Sequence, residues 1–153
     1  MKKIRLKAMA KINLGLDVVR KREDGYHEVR MIMQTIRMYD QIELEPTEAP
    51  GIRVSTNLNY LPTNEDNLVY KAAKLLMDEF DVKKGLNIGL RKFIPVAAGM
   101  AGGSSDAAAV MVGVNRLFHL NLSQKELMER GVKIGADVPY CILRGTALAE
   151  GIG

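Results

Sequence analysis

The chain has 153 residues, 47% of them hydrophobic, which is enough to bury the core of one domain and gives no reason to divide it. One cysteine and two histidines exclude an intramolecular disulfide and a zinc site made from those residue types, and no segment approaches the roughly 20 apolar residues that span a bilayer. Residues 1–37 hold ten Lys and Arg against four Asp and Glu, whereas the remainder, with twelve against fourteen, is slightly acidic and brings the net charge to +4; the basic start suits an anionic small molecule or RNA, although a solvated basic face is the commonest cause.

The first part of the chain predicts strands. Apolar residues alternate with other residues over 4–8 and 12–18, which favours two early strands. The same alternation over 42–44, 52–54 and 86–90 favours three more.

The apolar period changes to that of a helix from Asp66 onwards, after a turn and candidate caps at residues 62–64. The apolar face of this first helix carries Leu68, Ala72, Leu75, Leu76 and Phe80. A second helix is predicted from about Ser104, and the residues it would bury are Ala108, Met111, Leu117 and Phe118.

A third helix is marked by its start at Ser123. Glu126 completes a capping box with that serine, and Leu122 with Leu127 forms a hydrophobic staple. After Gly135, residues 138–149 predict a strand that returns to the sheet, and Cys141 within it is expected to be a buried structural thiol.

These elements predict an α+β domain, a two-layer sandwich in which helices cover one face of a mixed sheet. The chain stops at Gly-Ile-Gly directly after a predicted strand, so we expect a fragment of a longer protein. The charged N-terminus leads into a strand pattern without the apolar run of a signal peptide, and a cytoplasmic protein is expected.

Residues 95–109 run from a strand through a glycine-rich loop into an alanine-rich helix. Small residues let the backbone turn tightly and approach a ligand, and the start of the helix directs unpaired N–H groups and its positive dipole end into the same space. The segment lacks the Gly-Lys-Ser/Thr of a P-loop and the Gly-x-Gly-x-x-Gly of a dinucleotide site. A flexible connector is the alternative, but two serines at the helix start and three consecutive alanines favour phosphate binding.

Two carboxylates near these elements have more than one interpretation. Asp106, placed in the first turn of the second helix, more often complements the helix dipole than binds metal, and a magnesium role stays open. Asp137, in a predicted turn between a helix and a strand, is either a turn former or a general base that needs a cationic neighbour.

Polar residues in the early strands are candidates for that neighbour and for a ligand site. Lys11 lies in an apolar stretch, so it either faces solvent or points into a site, and Asn13 shares its strand face. Tyr26 and His27 follow Asp24-Gly25, which fits an ordinary hairpin, yet an aromatic ring and an imidazole could also clamp a base.

Three ordered segments of the chain resemble the GHMP kinase superfamily. Residues 10–14 and 24–27 are similar to an N-terminal signature found in one branch of it. Residues 95–109 resemble the superfamily ATP loop, and residues 135–139 resemble its catalytic-aspartate motif. The resemblance covers nearly the whole chain, and three motifs in the right order are rare by chance.

The resemblance implies an ATP-dependent kinase acting on a cytidine diphosphate derivative, with Mg²⁺, on a fold related to a ribosomal small-subunit domain. Lys11 and Asp137 would be catalytic, Asn13, Tyr26 and His27 would bind the substrate. The residues assigned to the ATP site are Asn67, Pro95, Ala97, Ala98, Gly99, Met100, Ala101, Gly102, Gly103, Ser104 and Ser105. Residues 1–153 would be the N-terminal, ATP-binding domain, without the second domain that such kinases carry.

Two alternatives remain. One is another GHMP kinase acting on homoserine, mevalonate or a sugar, for which residues 24–27 would not favour cytidine. The other is a non-catalytic RNA-binding domain of the related ribosomal fold, which the basic N-terminal third supports. The chain lacks the interleaved aromatic and basic pattern of RNA-binding surfaces, so no nucleic-acid or membrane partner is expected.

Overall fold

The computed structural model describes residues 2–21, 27–95, 102–144 and 146–148, with side chains over 2–10, 38–95 and 102–143. Nine elements follow one another in these ranges. In chain order they are β1 (Ile4–Lys21), β2 (His27–Thr47), β3 (Ile52–Thr56), α1 (Leu68–Glu79), β4 (Gly85–Arg91), α2 (Gly102–Leu117), α3 (Gln124–Gly131), α4 (Val138–Arg144) and β5 (Thr146–Leu148).

The five strands form one mixed sheet in the order β3-β4-β2-β1-β5. Antiparallel ladders join β1 to β2, β2 to β4 and β1 to β5, whereas β3 and β4 are parallel. A parallel pair needs a crossover, and α1 supplies it between β3 and β4. The prediction of an α+β, two-layer fold with a mixed sheet is confirmed.

The core lies between the helices and one face of the sheet. Alternate residues of the three central strands are buried there: Leu6, Ala8, Ile42, Leu44, Leu86, Ile88 and Leu90. Helix α2 packs closely on this face, since a Cβ at Gly113 would collide with side-chain carbons of Leu44 and Leu6. The small residues of α2 therefore allow its backbone to approach the middle of the sheet.

The early strands differ from the prediction in number. Residues 4–21 form one strand, with register shifts between Met9 and Lys11, between Asn13 and Gly15, and between Val18 and Arg20. These irregularities are bulge-like and bend the ladder without ending it, so the polar residues among them do not divide the strand.

The helices largely follow their predicted periods. Asn67 is the N-cap of α1. The centre of its buried face lies about one residue further along the chain than predicted, and the buried residues are Val69, Ala72, Ala73, Leu76 and Met77. In α2, Ala108, Met111 and Leu117 are buried as predicted, whereas Phe118 lies beyond the helix end and is half-buried. The capping box of Ser123 and Glu126 is confirmed at the start of α3.

The predicted strand over residues 138–149 is wrong for most of its length. Residues 138–144 form α4, and of the residues described after it Thr146–Leu148 pairs with β1. The buried residues Val138, Cys141 and Ile142 have the i, i+3, i+4 spacing of a helix, and Pro139 lies in the first turn, where a missing N–H costs nothing. Cys141 is buried as predicted, but on a helix.

Candidate active site

A hollow of about 180 Å³ lies where the chain leaves β4 and where α1 and α2 begin. Its wall contains Leu61, Pro62, Asp66, Asn67, Leu68, Leu90, Lys92, Pro95, Gly102, Gly103 and Asp106. The described ends of the glycine-rich segment, Pro95 and Gly102, therefore both line it. A helix start with its N–H groups at such a hollow favours an anionic ligand.

The first turn of α2 joins segments that are far apart in the sequence. The Ser105 hydroxyl donates a hydrogen bond to the carbonyl of Met9 in β1, two residues before Lys11. A Cβ on Gly135 would lie 3.8 Å from the Ser104 hydroxyl oxygen, so the turn that leads to Asp137 lies beside the same helix start. The backbone thus brings together the three segments that the sequence singled out.

A buried charge cluster lies beneath the hollow. The Lys92 ammonium is 2.6 Å from Asp40 Oδ2 and 2.8 Å from Asp106 Oδ2, and the three side chains are at most 5% exposed. The other oxygen of Asp40 accepts hydrogen bonds from the amides of Phe93, at 2.6 Å, and Ile94, at 2.8 Å. Within the described residues, Asp106 Oδ1 is buried without a hydrogen-bond partner.

The environment shifts the pKa values of this cluster in different directions. Burial raises the pKa of Asp106 well above its usual range, and a hydrogen bond with Asp40 adds to this effect. For Asp40, burial opposes ionisation, but hydrogen bonds with Asp106, the Ile94 amide and Lys92 outweigh it and lower the pKa. For Lys92, burial acts to lower the pKa, and the two carboxyl groups more than offset it, so the pKa is raised. These directions show burial competing with the hydrogen bonds and opposite charges within the cluster.

Several predicted site residues lie in or beside the hollow. Pro95, Gly102 and Gly103 line it, and so does Asn67. The Asn67 side chain is already engaged, because its Oδ1 accepts from the amide of Val69 at 3.0 Å and its Nδ2 donates to the carbonyl of Pro62 at 2.9 Å. Its position at the hollow is therefore set by helix capping.

Ser104 is half-buried and Ser105 is buried at the start of α2. Ala97, Ala98, Gly99, Met100, Ala101 and Tyr26 lie outside the described residues. Lys11 and Asn13 lie in β1 opposite Thr35 and Met33, and His27 begins β2 opposite Lys21; their side chains are outside the described part.

The two carboxylates occupy settings that the sequence did not predict. Asp137 is exposed in a turn between two helices, since α4 replaces the predicted strand, and its carbonyl accepts from the Cys141 amide at 3.1 Å. Asp106 is the fifth residue of α2, beyond its first turn, and its buried carboxyl group is paired with Lys92. The placement of Asp106 in the first turn, as a partner of the helix dipole, is wrong because α2 begins at Gly102.

Asp40 and Lys92 were not predicted, although the strand pattern held a signal for both. Asp40 has the same inward phase as Ile42 and Leu44, and Lys92 continues the inward phase of Leu90. Charged residues at such positions are rarely buried unless paired, so opposite charges at two inward positions point to a shared ion pair.

A second hollow, of about 690 Å³, lies on the face of the sheet opposite the helices, with Arg5, Lys7, Gln41, Glu43 and Arg91 in its wall. Among the residues that the structure describes, its wall includes none of the predicted site residues. In the described part of the chain, no three His, Cys, Asp or Glu residues cluster as metal ligands. No helix found there is both long enough and apolar enough to cross a bilayer.

Comparison with known proteins agrees with this geometry. A curated protein of Lachnoclostridium phytofermentans, 4-diphosphocytidyl-2-C-methyl-D-erythritol kinase, is 64% identical over 150 residues, covering 98% of this chain and 52% of that protein. The protein of the same name from Lachnospira eligens is 61% identical over 153 residues, covering 100% of this chain and 53% of its own length. The chain thus spans about half the length of these relatives.

Solved structures support the same grouping. The crystal structure of 4-(cytidine 5'-diphospho)-2C-methyl-D-erythritol kinase matches with a TM-score of 0.77 at 36% identity, over 98% of this chain and 53% of that one. Homoserine kinase from Cytophaga hutchinsonii, with a TM-score of 0.75 at 18% identity over 99% of this chain and 50% of its own, shares the fold. The family model described as GHMP kinases N terminal domain matches residues 67–145, about half of the chain. By its sequence and by its fold, the chain belongs to the GHMP kinases.

Proposed function

We propose that this chain is the ATP-binding, N-terminal domain of a kinase that phosphorylates the tertiary 2-hydroxyl of 4-diphosphocytidyl-2-C-methyl-D-erythritol, a step in non-mevalonate isoprenoid precursor synthesis. The observation that carries the proposal is the convergence at the first turn of α2. Ser105 is bonded to Met9, near Lys11, and Ser104 lies beside the turn that leads to Asp137. The identity of more than 60% with kinases of that name supports the choice of substrate.

The nucleotide would lie at the hollow where α1 and α2 begin. The N–H groups of residues 99–105 would surround the ATP phosphates, and the adenine would lie towards Asn67. The hollow suits such a ligand because it combines a helix N-terminus with apolar side chains such as Leu61 and Leu68.

Phosphoryl transfer requires a positioned hydroxyl and stabilised charge. The hydroxyl oxygen attacks the γ-phosphorus, the bond to the β,γ-bridging oxygen breaks, ADP leaves, and the hydroxyl proton passes to Asp137. Lys11 would hold Asp137 and stabilise the developing charge, and Asn13 would orient the erythritol. Tyr26 would stack on the cytosine, and His27 would form hydrogen bonds with it.

Mg²⁺ would accompany ATP and neutralise phosphate charge. Mg²⁺ commonly binds through one or two carboxylates and substrate phosphates, so a dense acidic cluster is not required. Asp106 is a poor ligand in the described arrangement because Lys92 holds one of its oxygens.

The relatives' remaining half would complete the acceptor side of the cleft and exclude water from it. We therefore expect this chain to bind ATP and to turn over slowly by itself. A kinase assay that compares this chain with a version extended to the relatives' full length measures whether the remaining half is needed for turnover. Equal rates would show that it is not.

Asp137→Asn tests the assigned chemistry. Isothermal titration should show ATP binding within twofold of wild type, while phosphate transfer by the extended protein falls by roughly 100-fold or more, as for other lost general bases. Asp78→Asn, on the exposed face of α1, is the matched control and should change neither. Absence of ATP binding by the wild type would refute the proposal, and loss of ATP affinity in Asp137→Asn would refute the role of that residue.

The acceptor is tested by competition. CMP should compete for the acceptor site of the extended protein and AMP should not, because residues 26 and 27 would recognise cytosine. Competition by homoserine or mevalonate without competition by CMP would instead identify another GHMP kinase.

A further inference from the structure

We propose that Lys92 is a positioning residue for the glycine-rich segment, holding its two ends together through Asp40 and Asp106. The inference rests on the proposed function only in assigning the segment to ATP phosphates. The arrangement itself follows from contacts between β2, the end of β4 and α2.

The first of the two ends is the chain that leaves β4. Asn57 Nδ2 donates to the carbonyl of Lys92 at 3.2 Å, and the Lys92 amide donates to Asn57 Oδ1 at 2.8 Å. Asp40 then accepts from the next two amides, those of Phe93 and Ile94. Every backbone donor from 92 to 94 is therefore held by a side chain, immediately before Pro95.

The second end is the start of α2. The Lys92 ammonium bonds to Asp106 at 2.8 Å, and a Cβ added to Gly102 would lie 3.1 Å from that ammonium and 3.2 Å from Ile94 Cγ2. The first residue of the helix thus rests on the two side chains that the β4 end supplies. A glycine at 102 permits this close approach.

This cluster differs from a simple stabilising ion pair. Replacing a buried ion pair by apolar side chains is often neutral for stability, whereas the fixed geometry of charged hydrogen bonds specifies one arrangement. Lys92 and Asp106 also line the hollow, and Asp106 Oδ1 has no partner within the described residues. We therefore expect the loss of Lys92 to affect the loop ends more than the rest of the fold.

Amide hydrogen exchange of the ligand-free chain tests the clamp without reference to ATP. Lys92→Met should accelerate exchange at least tenfold at the amides of Phe93 and Ile94, which Asp40 holds, and by less than twofold in the middle of α1. Lys84→Met, which removes an exposed lysine paired with Glu48, is the matched control and should leave these amides unchanged. Unchanged exchange at Phe93 and Ile94 in Lys92→Met would overturn the proposal.

Ligand binding distinguishes positioning from general destabilisation. Lys92→Met should lose at least tenfold in ATP affinity while adenosine affinity stays within twofold, and Asp106→Asn, which keeps an acceptor for Lys92, should retain ATP affinity within threefold. Equal losses for ATP and adenosine would overturn a positioning role.

If Lys92→Met does not fold, Asp106→Ala replaces it, because the ion pair between Lys92 and Asp40 then remains. If the wild type binds no ATP, the kinase proposal is overturned, and the hydrogen-exchange result still decides the positioning role of Lys92.

Discussion

Gly113→Ala is expected to destabilise the domain although alanine is the better helix former. In a helix interior the change gains about 1 kcal/mol from backbone propensity. Against this, the added Cβ would lie 2.9 Å from Leu6 Cδ1 and closer still to a carbon of Leu44, and both leucines are at most 1% exposed. Overpacking a core in this way costs about 1–3 kcal/mol. Two contacts below 3.0 Å with enclosed side chains put the cost in the upper half of that range, about 2–3 kcal/mol, so we expect a net loss of about 1–2 kcal/mol.

Urea denaturation measures this difference, and thermal unfolding should show a decrease of about 2–4 °C per kcal/mol for a chain of this size. Gly103→Ala is the matched control in the same helix, since among the described residues its Cβ would meet only Leu68 Cδ1, at an ordinary 3.5 Å. The control should be neutral or more stable by about 0.5 kcal/mol. A Gly113→Ala protein as stable as wild type would show that α2 does not lie as close to the sheet as described.

Three further changes test other parts of the fold. Leu76→Ala removes a fully buried side chain from α1 and should cost about 2–5 kcal/mol in urea denaturation; a loss below 1 kcal/mol would contradict its place in the core. Ser123→Ala removes the N-cap of α3 and should cost about 1 kcal/mol, whereas Ser123→Asp should restore most of it. Because burial raises the folded-state pKa of Asp106, its protonated form stabilises the fold fully below the unfolded-state pKa of about 3.9. This contribution to the free energy of unfolding is lost as pH rises through the folded-state pKa. Between the two pKa values, wild type should lose up to about 1.4 kcal/mol per pH unit relative to Asp106→Asn. Parallel pH profiles of the two proteins would contradict this assignment.

Elements with an uninterrupted period could be predicted from sequence because local pattern and tertiary packing agree in them. The alternation of Leu86, Ile88 and Leu90 is the inward face of β4, and the capping box at Ser123 is formed by residues three apart. The stretch from Val138 to Ile142 was misassigned because a short apolar run fits a buried strand and a buried helix alike. Only its packing against α2 and α3 decides between them.

The part of the site formed by one contiguous segment could be predicted, whereas the part formed by residues far apart in the sequence could not. Residues 95–109 carry their own signal, and Gly102 and Gly103 do line the hollow. Asp40 and Lys92 meet because β2 and β4 are neighbours in the sheet, and no local pattern reveals that neighbourhood. Their inward phase was visible in the sequence, but which opposite charge each would meet depends on strand order.

Pairing of β5 with β1 places Leu148 opposite Leu6 and covers residues 6–8 of β1 with a segment that is synthesised much later than β1 itself. Until residues 146–148 emerge, β1 has an open edge with unpaired N–H and C=O groups that can recruit another strand. Contacts between such distant segments also raise the contact order, which slows folding. We therefore expect an incompletely folded chain to be most prone to associate through β1 before β5 has paired with it.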